Sequence, residues 1–132
     1  MAGERILLVE DNAQNRRLAQ FLLKAQGYTV YEASTGQEAL ELARTHLPDL
    51  VLMDLRLPGI DGLTATKALK NDDLTRRIPV IALTAFAMDG DREKALQAGC
   101  DGYITKPIDT RAFPSAVRRY LGAVQGERGE GE

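Results

Sequence analysis

Four short apolar runs, far apart in the chain, each stop at a polar residue: Ile6-Leu7-Leu8-Val9 at Glu10-Asp11, Leu50-Val51-Leu52-Met53 at Asp54, Val80-Ile81-Ala82-Leu83 at Thr84-Ala85, and Tyr103-Ile104-Thr105 at Lys106-Pro107. Between them lie longer stretches with helical periodicity. Apolar runs of four or five residues separated by helices are the pattern of strands buried on both faces, which parallel sheets require. The chain must therefore fold as alternating strands and helices. In an open sheet of this kind the carboxyl ends of the strands form a crevice. That one edge collects Glu10, Asp11, Asp54, Thr84 and Lys106.

The remaining elements follow from local signals. The first strand spans Arg5 to Val9. A helix from Ala13 to Ala25 carries Leu18, Phe21, Leu22 and Ala25 as an i, i+3, i+4, i+7 stripe. Gly27 stops it, and Tyr28 to Tyr31 forms a second strand. Thr35 with Glu38 makes a capping box for a second helix, which carries Ala39, Leu42 and Ala43 and ends before Pro48. A third strand, Leu50 to Asp54, enters the turn Leu57-Pro58-Gly59. A third helix covers Leu63 to Lys70, and a polar loop, Asn71 to Arg77, leads to a fourth strand opened by Pro79. The fourth helix spans Asp89 to Ala98 and Gly99 closes it. A short strand, Gly102 to Thr105, precedes a last helix ending near Leu121. Thr110 as its cap puts Pro114 at the end of the first turn, where a missing N–H costs little. Residues 1–121 are thus one α/β domain, and residues 122–132 are a Gly/Glu-rich disordered tail.

Composition narrows the function classes. A net charge of −2 over 132 residues lacks the basic stripe of nonspecific nucleic-acid binding. The single Cys100 excludes an internal disulfide and fits a reducing compartment. No apolar stretch approaches a membrane span, and the first five residues are no secretory signal. A cytoplasmic protein without membrane association is expected.

Three carboxylates at one edge repel one another unless a proton or cation intervenes. Mg²⁺ suits Glu10, Asp11 and Asp54: it is a hard ion that takes oxygen ligands and keeps several waters. Asp11 and Asn12 also read as a helix cap; the coincidence with Asp54 and Lys106 favours the metal. Asp54, ending a wholly apolar strand, is the best nucleophile, since carboxylates form covalent phosphoryl intermediates. Phosphoryl transfer asks for positioning and for positive charge around the phosphoryl oxygens. Lys106 supplies charge, Thr84 a hydroxyl, and the small Ala85 leaves room.

Val9-Glu10-Asp11-Asn12, the run from Leu52 to Gly62 (LMDLRLPGIDG), Leu83-Thr84-Ala85 and Tyr103-Ile104-Thr105-Lys106-Pro107 together resemble the response-regulator receiver domain of two-component signalling. The likeness covers residues 4 to 121. It implies a doubly wound sheet of five parallel strands in the flavodoxin-like order 2-1-3-4-5, with five helices. It also implies that Asp54 is phosphorylated by a sensor histidine kinase or a phosphotransfer protein. By the same resemblance Glu10 and Asp11 help hold Mg²⁺, and the Arg56 backbone carbonyl is a further ligand. The side chains of Arg56 and Phe86 match positions that tune phosphoryl lifetime. Phosphorylation is expected to draw Thr84 toward the new oxygens and free space for Tyr103 to turn inward, its ring tolerating burial while its hydroxyl seeks a polar partner. The expected result is an altered face built by the fourth helix, fifth strand and fifth helix. The downstream target is a protein of unknown identity, direct DNA binding is not expected, and the state is a monomer or a phosphorylation-dependent dimer.

Two other readings stand beside a stand-alone regulator: the receiver portion of a hybrid histidine kinase or multidomain regulator, and an Mg²⁺-dependent phosphohydrolase. The last is disfavoured, because Arg56 offers no acid near Asp54 and the chain leaves no room for a cap. His46 reads as a solvated histidine at a helix end, Cys100 as structural, Met53 and Met88 as core filler, and Gly59 to Gly62 as a turn.

Overall fold

The computed structural model describes residues 3–85 and 89–130, with side chains described for residues 3–85 and 92–122. Strands and helices alternate: β1 Arg5–Val9, α1 Ala13–Ala25, β2 Thr29–Ala33, α2 Gly36–His46, β3 Leu50–Asp54, α3 Gly62–Asn71, β4 Val80–Thr84, α4 Asp89–Ala98, β5 Gly102–Thr105 and α5 Ala112–Glu130. All strand pairs are parallel, in the order β2-β1-β3-β4-β5. The doubly wound order implied by the receiver motifs is therefore the one found.

Alternation along the strands builds a core on each face of the sheet. Leu7, Val9, Val51, Met53, Val80 and Ala82 point to one side, where Ala39 and Ala43 of α2 and Ala65 and Leu69 of α3 cover them. Ile6, Leu8, Leu50, Leu52, Ile81 and Leu83 point to the other, under Ala19 and Leu23 of α1 and Phe113 and Val117 of α5. Every residue of β3 and β4 is buried, which explains why these strands read as continuous apolar runs.

Several local expectations shift. The stripe expected on α1 is rotated by one residue: Ala19 and Leu23 are fully buried, whereas Phe21 is 68% exposed and Ala25 is also exposed. Turning the small Ala19 toward the sheet lets the helix lie close, which periodicity alone does not weigh. The second strand runs Thr29–Ala33 rather than Tyr28 to Tyr31, because its pairing with β1 continues to Val9 opposite Ala33. Asp109, not Thr110, caps α5: its Oδ1 accepts from the N–H groups of Arg111 and Ala112 at 2.8 and 2.7 Å, and its carbonyl from Phe113. The bounds of α5 run past the expected end near Leu121 to Glu130. Once the packed first turns are formed, propagation costs far less than nucleation. His46 is half-buried and stacked on Tyr31, ring centroids 4.0 Å apart, rather than free in solvent. Met53 lies in the core; Met88 and Phe86 fall outside the described residues. Cys100 is buried, and burial pushes its thiol pKa up, away from reactivity.

Tyr120 fastens α5 to the edge strand β5. Its hydroxyl accepts from the Tyr103 N–H at 3.2 Å and donates to the Tyr103 carbonyl at 3.1 Å. Its ring lies where a side chain at Gly102 would sit, 2.4 Å from that position. Replacing Tyr120 by Phe removes both of these hydrogen bonds at a half-buried edge, so unfolding in urea should show a loss of about 1 kcal/mol. An unchanged midpoint would mean that water replaces the hydroxyl fully.

Candidate functional site

Register places the site residues side by side. Val9 pairs with Met53, so Glu10 follows beside Asp54. Asp54 pairs with Leu83, and Thr84 with Thr105, so Lys106 emerges next to Thr84. The Lys106 N–H donates to the Thr84 carbonyl at 2.8 Å, closing the ladder at its upper edge. A cleft of about 740 Å³ opens there, lined by Glu10, Asp11, Asp54, Arg56, Thr84 and Lys106 among others. Ala85 also borders it.

Lys106 lies between two carboxylates: its Nζ is 2.8 Å from Glu10 Oε1 and 3.1 Å from Asp54 Oδ2. The contact to Asp54 is an aligned hydrogen bond. The contact to Glu10 is an ion pair only, and buried Glu10 Oε1 has no aligned hydrogen bond among the described residues. Glu10 Oε2 accepts from the Asn12 N–H at 3.2 Å, and Asp54 Oδ1 from the Arg56 N–H at 2.9 Å. Arg16, a residue that strand-end motifs do not reveal, donates to the Glu10 carbonyl at 2.8 Å and pairs with Glu32 at 3.5 Å. It holds the turn from β1 into α1.

One ammonium cannot neutralise two buried carboxylates. Glu10 is fully buried, and that burial, helped by Asp54 beside it, pushes its pKa up to about 7 against the opposing pull of Lys106. For Lys106, burial lowers the pKa, but Glu10 and Asp54 together outweigh it and hold the ammonium above its ordinary value. The site lacks positive charge. Oxygen atoms of Glu10, Asp11 and Asp54 all lie within 4.8 Å of one another, and Asp11 is exposed toward the cleft mouth. An all-oxygen carboxylate set with one unaligned buried oxygen fits a hard divalent cation.

Asn12 caps α1 through its Oδ1, which accepts from the Asn15 N–H at 2.9 Å. That leaves Asp11 uncommitted to capping. Asp61 caps α3 in the same manner through the Thr64 N–H at 2.8 Å. Gly62 is required behind Asp54: a Cβ there would stand 2.2 Å from the Asp54 carbonyl oxygen and 2.6 Å from Leu55 Cα.

Tyr103 is not in the cleft. It is half-buried on β5, with the Arg92 guanidinium 4.8 Å from its ring centroid, and it lines a smaller depression between β5 and α5 together with Tyr120 and Arg119. Lys94 of α4, absent from the motif reading, does line the cleft. Nothing in its local sequence separates it from other charged helix residues.

Residues 6–118 match the family model described as the response regulator receiver domain. The chain is 51% identical over 117 residues to the polar-differentiation response regulator DivK of Brucella anthropi, covering 89% of this chain and 95% of that protein. Among solved structures, the receiver domain of the sensor histidine kinase PA1611 from Pseudomonas aeruginosa, which has a magnesium ion coordinated in its active-site cleft, is 41% identical with a TM-score of 0.83; the match covers 95% of this chain and 99% of that one. A response regulator receiver domain protein from Methanospirillum hungatei superposes with a TM-score of 0.86 at 27% identity, covering 96% of this chain and 99% of that one.

Proposed function

The chain belongs to the response regulator receiver family, and we propose that it is a switch operated by phosphorylation of Asp54. The observation that carries this reading is the Asp54 carboxylate itself. It is buried at the end of β3, held by Lys106 Nζ on one oxygen and the Arg56 N–H on the other, beside two more carboxylates. A buried, oriented carboxylate in an open cleft is placed to attack phosphorus.

An Asp54 oxygen forms the new P–O bond as the P–N bond of a donor phosphohistidine breaks, and the imidazole leaves with a proton. Lys106 Nζ and the Thr84 hydroxyl take up phosphoryl oxygens, and Ala85 leaves the space for them. Glu10, Asp11, Asp54 and the Arg56 carbonyl would hold Mg²⁺. When bound, that ion supplies the positive charge which the cleft lacks and which the transferring group needs. The Arg56 side chain, exposed on the rim, and Phe86 govern access of water to the aspartyl phosphate.

Phosphorylation adds about −1.5 to −2 charges and new acceptor oxygens. Thr84 is drawn to them, Tyr103 moves inward, and the face built by α4, β5 and α5 shifts between two populations. The donor is a histidine kinase or phosphotransfer protein, and the target is a protein rather than DNA. Among the described residues no helix is long and apolar enough to cross a membrane, in keeping with a cytoplasmic site of action. Residues 1–121 carry these functions.

The 51% identity to DivK supports a regulator acting through separate partners. The PA1611 likeness supports the second reading, a receiver that serves a hybrid kinase. Both use the same chemistry. Intact mass after incubation with a small acyl phosphate tests it. Wild type should gain one phosphoryl group only with Mg²⁺, and Asp54→Asn should gain none. Incorporation by the variant equal to wild type would remove Asp54 from the role.

A further inference from the structure

Lys94 is the one lysine of α4, and it lines the cleft. Among the described residues its ammonium has no ion-pair or hydrogen-bond partner. Other cations do carry partners: half-buried Arg16 binds Glu10 and Glu32, half-buried Lys70 pairs with Asp101, and exposed Arg118 binds Gln26. The Cα–Cβ bond of a helical residue tilts toward the helix N-terminus. In α4 that end follows the Thr84-Ala85 end of the cleft in the chain, and Lys94 is among the residues that line the opening.

The charge count explains what such a residue does. Glu10, Asp11 and Asp54 carry up to three negative charges, and Lys106 offsets one. A bound divalent cation brings the interior to about neutral. A phosphoryl donor is itself an anion and must enter this cleft. The floor cation, Lys106, is spent on two carboxylates and only partly exposed. Arg56 stands exposed on the rim at the β3–α3 side. Lys94 is the matching rim cation on the α4 side.

We propose that Lys94 is a donor-binding residue: its ammonium holds the outgoing oxygens of the incoming phosphoryl group and aligns them with Asp54. This rests on the reading of Asp54 as phosphoacceptor. An exposed charge on a flexible stem is partly screened by water, so its effect is moderate. Its sign and its salt dependence are diagnostic.

The test is the rate of phosphoryl incorporation from acetyl phosphate in saturating Mg²⁺, followed by intact mass over a range of donor concentrations and salt. Lys94→Gln should reduce the second-order rate about fivefold, the equivalent of a modest screened ion pair. Lys94→Glu should reduce it further, and Lys94→Arg should restore most of it. The fall of rate with salt should be shallower in Lys94→Gln, and Mg²⁺ affinity by calorimetry should stay within about twofold, since only distant charge is lost. Wild-type rates in both Lys94→Gln and Lys94→Glu, with wild type itself phosphorylated on Asp54, would overturn the assignment of Lys94 alone. Equal slowing in Gln, Glu and Arg variants would also overturn it, because a charge role must follow the charge. Absence of incorporation in wild type overturns the reading of Asp54, and the Lys94 proposal with it.

Discussion

Metal-free protein should lose stability as the pH rises from about 4.5 to about 7, and Glu10 is the cause. In the unfolded chain this carboxyl titrates near 4.5, whereas in the fold burial raises it to about 7. Between those values the native state binds a proton that the unfolded state has lost. Stability therefore falls with pH across that window and levels off above it. The gap between 4.5 and about 7 corresponds to on the order of 3 kcal/mol. Lys106 does not blur the window. Its pKa is raised, so its contribution is fully present below its ordinary value of 10.5 and is lost only as pH rises beyond it. Glu38 and Asp109 are held low by hydrogen bonds and lose their contributions only as pH falls through the acid range.

Urea unfolding at a series of pH values checks this. Glu10→Gln should flatten the curve between pH 5 and 8 and stand above wild type at pH 8. Saturating Mg²⁺ should restore stability to wild type at pH 8 by mass action, and restore little to the variant. A Glu10→Gln curve parallel to wild type would show that the proton resides elsewhere. On this expectation the cleft is built at a cost in stability that a bound cation would offset.

Gly62→Ala is the second large effect. The added Cβ meets the Asp54 carbonyl oxygen at 2.2 Å and Leu55 Cα at 2.6 Å, both backbone atoms with no side chain to swing away. Either the start of α3 lifts from the sheet or the end of β3 moves. Overpacking of this kind costs about 1–3 kcal/mol, and contact with rigid backbone puts it at or above the upper end. Either movement disturbs the turn that follows Asp54, so phosphoryl incorporation should fall by at least tenfold even in the folded fraction, as small misplacements of reacting groups do. Stability and incorporation both measured near wild type would mean that the β3–α3 turn is pliable. By contrast, Gly59→Ala, at a positive φ with open space around it, should cost stability with little effect on Asp54.

The strands and the site were legible from sequence for one physical reason. A central strand of a parallel sheet has both faces buried, so β1, β3 and β4 must be apolar throughout, and a charged residue that ends such a run stands out. Glu10 and Asp54 were visible on that ground, Thr84 as the hydroxyl that ends β4 and Lys106 as the cation after the edge strand β5, and the register of the ladder brings them together. The capping signals of Thr35 and Glu38 were equally local: Glu38 N–H donates to Thr35 Oγ1 at 3.1 Å, and the Glu38 carboxylate reaches back to the Ser34 N–H at 3.0 Å. Where a signal depended on a partner, it shifted. The end of β2 is set by β1, the rotation of α1 by the sheet beneath it, and the cap of α5 by which of two adjacent polar residues reaches the free N–H groups.

By itself the amino-acid order determined the alternation of elements, the two buried faces and the set of residues at the carboxyl edge, because each is written in local periodicity and strand-end chemistry. Only the tertiary structure decided how charge is shared there. Burial sets the Glu10 proton, one lysine divides between two carboxylates, and Lys94 comes over the cleft from a helix whose sequence carries no mark of it. Electrostatic energy depends on distance and on exclusion of water, and both arise only when the sheet and its helices are assembled.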